Sequence, residues 1–306
     1  MKRLQNRIAE SRWALPITAA YGLLVSVAAG LITDGLWLQF CLLLVTTVMM
    51  AELNNTYALI RIFSRMVSCS FLVLTTMSLF VFRDLGVDVV QLCGVAFLLL
   101  IFRAYQNPTA TGWVFYAFCA LSVSSIEFSQ MLLFLPLWWI AMAIYVQCFS
   151  ARTLIASILG LLMPYWFVAA WFIYTGQADV LTAHILSIFQ FQTPFDFTII
   201  SFHQLLTFIF VFLLAVIGSV HFLMYSYQDR IRIRMCYEMF MFLDAACFIF
   251  AIVQPQNFNA LFGMSIVLTA PLIGHYLALS NSKASNITSL ILAAMALALT
   301  VFNLSV

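Results

Sequence analysis

The stretch AELNNTYALIRIFSR, residues 51–65, is the longest polar interruption in the first third of an otherwise apolar chain. It carries a carboxylate, two asparagine amides and two guanidinium groups, whereas the residues on both sides of it are mostly apolar. Apolar runs of this kind indicate helices that cross a lipid bilayer. Each helix after this interruption crosses the membrane once. The side on which residues 51–65 lie therefore determines the side of every later loop.

Composition requires a lipid environment. The chain has 306 residues, of which 65% are hydrophobic and 8% are charged. Soluble domains carry about 25% charged residues, so this chain has too few charges to cover a water-facing surface. A spanning helix needs roughly 20 apolar residues, which leaves room for about eleven crossings and no long soluble domain. A net charge of +2 gives no reason to expect nucleic acid as a partner.

Apolar length and polar breaks predict an all-α integral membrane protein with about eleven transmembrane helices. The whole chain, 1–306, is expected to form one polytopic membrane domain. An interfacial helix is predicted over about 54–65 on the inner side, and a longer, less apolar outer segment over about 176–198. The predicted crossings are about 13–33, 36–53, 66–82, 89–103, 109–125, 130–149, 153–175, 199–225, 237–253, 258–280 and 286–305.

The basic residues set the predicted orientation, because Lys and Arg accumulate in short cytoplasmic loops. With the N-terminus in the cytoplasm and the C-terminus outside, 12 of the 13 basic residues lie on the inner side, and Arg83 lies outside. The inner set is Lys2, Arg3, Arg7, Arg12, Arg61, Arg65, Arg103, Arg152, Arg230, Arg232, Arg234 and Lys283. The expected location is a bacterial inner membrane.

The first candidate binding site lies in the opening stretch. In a helix over 54–65, the side chains of Asn54, Arg61 and Arg65 share one face. Two guanidinium groups on one face at a membrane interface suit an anionic lipid headgroup or a lipid-linked phosphate, because the Arg fork matches phosphate geometry. The alternative is that these residues only anchor the loop on the cytoplasmic side and contact ordinary anionic lipid.

The second candidate is a pair of ionisable groups inside predicted helices, Asp244 and His275. Each lies about 10 Å from the inner boundary at a rise of about 1.5 Å per residue. Consecutive antiparallel helices can bring the two side chains together, with Pro271 and Gly274 permitting a close approach. Such a pair suits a proton relay or a substrate contact. The alternative is a protonated Asp244 that is hydrogen-bonded within the bundle.

The third candidate is the acidic outer face, where Asp34, Asp84 and Asp88 lie in the first two predicted outer loops. Converging carboxylates can bind a divalent metal through oxygen or supply a general base, and these three are the candidate catalytic residues. The alternative is that acids remain outside once the basic residues are inside. No metal site is predicted, since the spacing is not specific for any metal, and no cofactor motif is present. The seven cysteines are scattered and read as structural thiols.

Three runs, Asn54–Ile60, Phe97–Arg103 and Gly160–Tyr165, together resemble an uncharacterised family of polytopic bacterial inner-membrane proteins, a domain of unknown function. The likeness covers about residues 50–175 and implies no activity. The broader layout also resembles membrane glycosyltransferases that use lipid-linked sugars. That resemblance implies a catalytic acid in the first outer loop, where this chain has Asp34, although the loop here is much shorter than in that family.

These observations support three hypotheses about function. The first is a non-enzymatic component of envelope biogenesis that binds membrane lipids or other membrane proteins through a basic site. The second is a glycosyltransferase or polymerase acting on a polyprenyl-phosphate-linked sugar. The third is a secondary transporter or lipid flippase that uses Asp244 and His275. An outward cavity at the acids favours the enzyme, a midplane cavity at Asp244 and His275 favours transport, and a tightly packed bundle with an exposed apolar groove favours the first.

Overall fold

The computed structural model describes residues 3–190 and 193–305, so Lys2 of the predicted inner set lies outside the described residues. Within these ranges the chain is all-helical and contains no β-strand, which confirms the predicted class. Fourteen α-helices are present in this part of the chain: α1 (Leu4–Ala9), α2 (Ala14–Ala28), α3 (Trp37–Tyr57), α4 (Met66–Met77), α5 (Leu79–Phe82), α6 (Leu85–Ile101), α7 (Thr111–Glu127), α8 (Leu135–Ala141), α9 (Ala151–Tyr174), α10 (Ala178–Ser187), α11 (Phe202–Tyr225), α12 (Ile231–Val253), α13 (Phe258–Leu279) and α14 (Lys283–Ser305).

Eight helical segments of the described residues are long and apolar enough to cross a membrane. They are Trp37–Tyr57, Leu85–Ala104, Ser129–Val146, Ala151–Tyr174, Phe202–Gln228, Ile231–Val253, Pro255–Leu279 and Lys283–Ser305. The other three predicted crossings coincide with the shorter helices α2, α4 and α7. Each predicted apolar segment thus overlaps a helix, while the count of about eleven crossings stays a prediction.

The described residues divide into two compact units, where the sequence suggested one domain. The first unit comprises residues 1–88 and 195–306, and α13 is its central helix. Nearly every α13 residue from Leu261 to Tyr276 is buried, and its neighbours include α4, α11 and α12. Small residues permit close packing here, as in many membrane bundles. A Cβ at Gly274 would lie 3.1 Å from Val67 Cα, as expected for a close neighbour.

One end of this unit is built around the turn of residues 280–282, and we name it the turn end. The Gln5 side-chain amide of α1 donates to Leu277 O at 2.9 Å and to Ser280 Oγ at 2.6 Å. The Asn6 side chain donates to Ser280 O at 3.1 Å. These bonds fix the N-terminal helix against the connection between α13 and α14.

At the opposite end of the first unit, side-chain hydrogen bonds connect segments that are far apart in the sequence. The Arg83 guanidinium donates to Ala29 O at 3.0 Å, so the connections after α2 and after α5 lie side by side. Near the C-terminus, the Asn303 amide donates to Met77 O at 2.8 Å and to Thr207 Oγ1 at 3.1 Å. The N-terminal helix α1 and the last turn of α14 are therefore anchored at opposite ends of this unit.

The second unit comprises residues 89–194. Its helices α7 and α9 pack closely, since a Cβ at Gly160 would lie 2.4 Å from Phe115 O. The Ser122 hydroxyl also donates to Leu161 O across this contact at 2.7 Å. Within the long predicted outer segment, the structure places the ten-residue helix α10.

The predicted interfacial helix over 54–65 is wrong. Helix α3 continues to Tyr57 and ends at Ala58, whose φ of 51° is left-handed. A left-handed residue cannot continue a right-handed helix, and residues 58–65 form an irregular connection that we name the 58–65 loop. Asn54, Arg61 and Arg65 therefore do not share a helix face.

Candidate functional site

The 58–65 loop is held in shape by Asn54, near the end of α3. The Asn54 side chain accepts from the Ile60 N–H at 3.2 Å and donates to Ser64 O at 2.9 Å. Leu59 and Ile60 are buried beneath it. Asn54 is itself buried, and these two side-chain hydrogen bonds both go to the loop. The consequence is that Arg61 projects from a fixed backbone.

Arg61 extends toward a buried carboxylate that comes from a distant part of the chain. Asp229 lies between α11 and α12, and its side chain is only 1% exposed. The Arg61 Nη1 atom lies 4.0 Å from Asp229 Oδ1. On the other side, His275 Nε2 of α13 donates to Asp229 Oδ2 at 3.1 Å. A carboxylate only accepts, so this contact assigns the His275 proton to Nε2.

His275 is enclosed by aromatic rings and by a second histidine. The ring centroids of Tyr237 and Phe222 lie 4.9 Å and 5.3 Å from its own. His221 of α11 lies 5.5 Å away by the same measure. His221 is more than nine-tenths buried, and its Nδ1 atom has no hydrogen-bond partner among the described residues. The imidazole of His221 is therefore a fixed polar group with unused bonding capacity.

Arg61 and His221 lie on the wall of a polar cavity of about 510 Å³ at the turn end of the first unit. Most of its other lining residues carry a hydroxyl or amide group, and many of them come from the last turn of α13, the 280–282 turn and the first turns of α14. Its further lining residues are Tyr225, Gln228, Tyr276, Leu279, Ser280, Asn281, Ser282, Ala284, Ser285 and Thr288. The Tyr276 and Thr288 hydroxyls are hydrogen-bonded to each other. The cavity thus offers neutral donors around one guanidinium group.

The two arginines of the 58–65 loop differ in the hydrogen bonds that their guanidinium groups make. The Arg61 guanidinium is 34% exposed and donates no hydrogen bond to any described residue. The Arg65 Nη1 atom donates to Asn55 Oδ1 at 3.2 Å, and its guanidinium also lies 5.5 Å from the Phe63 ring centre. Several N–H donors of Arg61 are therefore available to a ligand, whereas Arg65 is occupied locally and does not line the polar cavity.

The predicted pairing of Asp244 with His275 is not formed. Asp244 is buried and accepts from the Thr269 hydroxyl at 2.8 Å. Thr269 lies six residues before His275 on α13, about 9 Å along the axis at about 1.5 Å per residue. Asp244 is thus hydrogen-bonded within the bundle, which was the alternative interpretation, and His275 bonds to Asp229 instead.

The three candidate catalytic acids lie at the opposite end of the first unit. Asp34 is exposed in the turn after α2. Asp84 accepts from the Gly86 N–H at 3.0 Å at the start of α6, which is an ordinary helix-capping contact. Asp88 is 2% exposed, and neither of its carboxylate oxygens has a partner among the described residues. None of the three lines the polar cavity.

The polar residues of the long outer segment serve local contacts. His184 Nε2 lies 3.2 Å from the Tyr165 hydroxyl, which connects α10 to α9. Asp196 accepts from the Thr198 N–H and hydroxyl, and these hydrogen bonds lower the pKa of its carboxyl group. Within the described ranges, no three His, Cys, Asp or Glu side chains are grouped to hold a metal ion.

Sequence reasoning found Arg61 and His275 but missed Asp229 and His221. Asp229 lies in the basic run of residues 229–234, and His221 lies near the end of a predicted crossing, so neither residue stands out in the sequence. One signal was available, because Asp229 is an acid directly before Arg230, Arg232 and Arg234 on the predicted inner side, where acids are few. Nothing in the spacing indicated that Asp229 would contact residues 46 and 168 positions away.

No protein-family model, curated protein or solved structure matches this chain.

Proposed function

We propose that this protein is a polytopic component of a bacterial inner membrane that binds a phosphate-bearing lipid headgroup in the polar cavity. The observation that carries the proposal is the Arg61 guanidinium on the wall of that cavity, which is paired with Asp229 at 4.0 Å but donates no hydrogen bond to any described residue. Arg binds phosphate through a pre-formed fork of donors. The His221 imidazole and the surrounding hydroxyls add neutral partners, and Lys283 is exposed next to the lining turn.

Asp229 sets the strength of this site. Its carboxylate is 4.0 Å from Arg61, which is too long for a hydrogen bond. Asp229 therefore orients the Arg61 guanidinium and leaves its N–H donors free. Its negative charge also competes with an incoming anion for that guanidinium. An anion that brings two charges and several acceptor oxygens can outweigh that competition.

The arrangement of the chain ends supports the proposed topology of about eleven crossings, with the N-terminus in the cytoplasm and the C-terminus outside. In the first unit, α1 is bonded at the turn end and Asn303 at the opposite end. An odd number of crossings, such as eleven, connects two chain ends arranged in this way. The contact of Arg83 with Ala29 further requires that α4 and α5 together return the chain after α3 crosses. The polar cavity then faces the cytoplasmic leaflet.

The cavity also bears on the other two hypotheses. A glycosyltransferase reading needs a cavity at Asp34, Asp84 or Asp88, and the polar cavity lies at the other end of the unit. A transport reading with Asp244 and His275 as a pair lacks the contact between them. The binding hypothesis is the one that uses the residues lining the cavity.

The test compares Arg61→Gln with Arg65→Gln, a matched change in the same loop. The full-length proteins are titrated in nanodiscs with phosphatidic acid, polyprenyl phosphate and inorganic phosphate, and binding is followed by native mass spectrometry. A hydrogen bond to a charged group contributes about 1.5–3 kcal/mol, so Arg61→Gln is expected to weaken lipid binding about tenfold or more. Arg65→Gln should leave it within about twofold.

The three ligands separate the sources of the phosphate group. Tight binding of both lipids with weak binding of inorganic phosphate supports a lipid site. Equal losses of lipid affinity in the two variants would show nonspecific attraction to the basic loop and would contradict the proposal. An unchanged Kd in Arg61→Gln would also contradict it.

A further inference from the structure

A second cavity of about 390 Å³ lies in the first unit, and its wall is almost wholly apolar. Residues of α1, α2, α4, α11, α13 and α14 form it, and we name it the apolar groove. Its lining includes Val73 and Leu74 of α4 and Leu292 and Ala296 of α14. Such a wall offers almost no hydrogen bonds, so its occupant is a hydrocarbon rather than a headgroup.

The apolar groove and the polar cavity are adjacent, because both are lined by α13 and α14. On α14 the polar cavity uses Ser285 and Thr288, and the groove begins at the next residue, Ser289. From there it extends to Ala296, a distance of about 11 Å along the helix at about 1.5 Å per residue. The polar cavity thus lies at the helix ends, and the groove leads from it toward the middle of the bundle.

Helix α1 closes the groove near the polar cavity. Its Gln5 side chain lines the groove and bonds to Ser280, which lines the polar cavity. Leu4 and Ile8 of α1 also line the groove, although about half of each side chain is exposed. A short helix held by side-chain amides therefore connects the two cavities.

We propose that the apolar groove holds one hydrocarbon chain of the lipid whose phosphate lies in the polar cavity. This inference rests on the proposed function and specifies its ligand as a membrane amphiphile. Lipid tails are as apolar as the groove, so the hydrophobic effect gives no preference between bilayer and groove. Close packing and the tether to the bound headgroup provide the preference instead.

The test blocks the groove without touching the polar cavity. Ala293 lines the groove on α14, whereas its neighbour Ala294 does not, and both are exposed. Ala293→Phe fills the groove, and Ala294→Phe is the matched control. Full-length proteins in phosphatidylcholine nanodiscs receive phosphatidic acid that carries a photoreactive diazirine on one acyl chain, and cross-linked peptides are mapped.

In the wild-type protein, cross-links are expected in residues 66–74 and 289–296. Ala293→Phe should reduce them about fivefold or more, and Ala294→Phe should leave them unchanged, since a tethered chain loses its packing only in the first variant. Cross-links spread evenly over the lipid-facing helices, or equal effects of the two variants, would overturn the groove assignment.

A probe without acyl chains separates this inference from the proposed function. Glycerol 3-phosphate carries the same phosphate group and has no chain to occupy the groove. The Ala293→Phe variant should bind this probe as the wild-type protein does, whereas the Arg61→Gln variant should lose binding. If Arg61→Gln leaves this binding intact, the headgroup site itself is wrong. If probe binding depends on Arg61 but the expected cross-links in the groove are absent, the headgroup site is supported and the groove inference is wrong.

Discussion

At the scale of single residues, Arg61 lies between a buried carboxylate and an open polar cavity. Asp229 is 4.0 Å away, and its other oxygen is bound by His275. Two unit charges at about 4 Å interact by roughly 1–4 kcal/mol, depending on the surrounding dielectric. The carboxylate therefore attracts the guanidinium and at the same time opposes an anion that approaches it.

This competition gives the first prediction, the effect of Asp229→Asn. The asparagine oxygen still accepts from His275, but the negative charge beside Arg61 is removed. We expect phosphatidic acid to bind about threefold or more tightly, as measured by titration in nanodiscs. The control is Asp244→Asn, which changes a buried acid bonded to Thr269 and should leave the Kd unchanged. Weaker binding in Asp229→Asn would show that Asp229 serves the ligand directly.

At the scale of elements, close backbone contacts determine how α11 and α13 pack. A Cβ at Gly218 of α11 would lie 2.7 Å from the Leu272 carbonyl carbon of α13. That distance is too short for any real contact, and the opposing atom is backbone, which cannot move aside. Since His221 of α11 and His275 of α13 meet one turn farther along, this contact also positions the candidate site.

The second prediction is that Gly218→Ala destabilises the protein. Separating the two helices should cost about 1–3 kcal/mol and lower the midpoint of thermal unfolding in detergent. Gly112→Ala is the control, because a Cβ there meets nothing within 4 Å in the first turn of α7. Alanine is also the better helix former, so this variant should equal or exceed the wild-type midpoint. Similar losses in both variants would contradict the packing argument.

The 58–65 loop shows why the sequence wrongly predicted a helix over residues 54–65. Its residues have ordinary helix propensity and an amphipathic spacing, which indicated a helix. In the structure, Ala58 adopts a left-handed φ of 51°, and Leu59 and Ile60 turn inward and are buried. Burial of these apolar side chains and the two hydrogen bonds to Asn54 outweigh a preference of a few tenths of a kcal/mol per residue.

At the scale of the whole molecule, the third prediction concerns topology. Thr33 and Ser282 are exposed in connections at opposite ends of the first unit. Cysteines introduced by Thr33→Cys and Ser282→Cys should therefore react with a membrane-impermeant maleimide from opposite sides, Thr33→Cys in intact cells and Ser282→Cys only in inverted vesicles. The wild-type protein, with its own cysteines, is the labelling control. Reaction of both variants from the same side would contradict the proposed crossings.

The C-terminus gives an independent check on the same proposal. An alkaline phosphatase fused after residue 306 should be active, since that enzyme requires the exterior, and a green fluorescent protein fused there should be dark. The opposite pair of results would require an even number of crossings.

The sequence by itself determined the helical class and the apolar segments. These properties follow from local composition, because a spanning helix satisfies its own backbone hydrogen bonds and needs only enough consecutive apolar side chains. Only the tertiary structure decided that Arg61, Asp229, His221 and His275 meet, that Asp244 lies apart from them, and that an apolar groove adjoins their cavity. The contacts of this cluster join residues up to 168 positions apart, and they depend on which helix faces pack together. That choice is made by small residues and close backbone contacts that no spacing along the chain records.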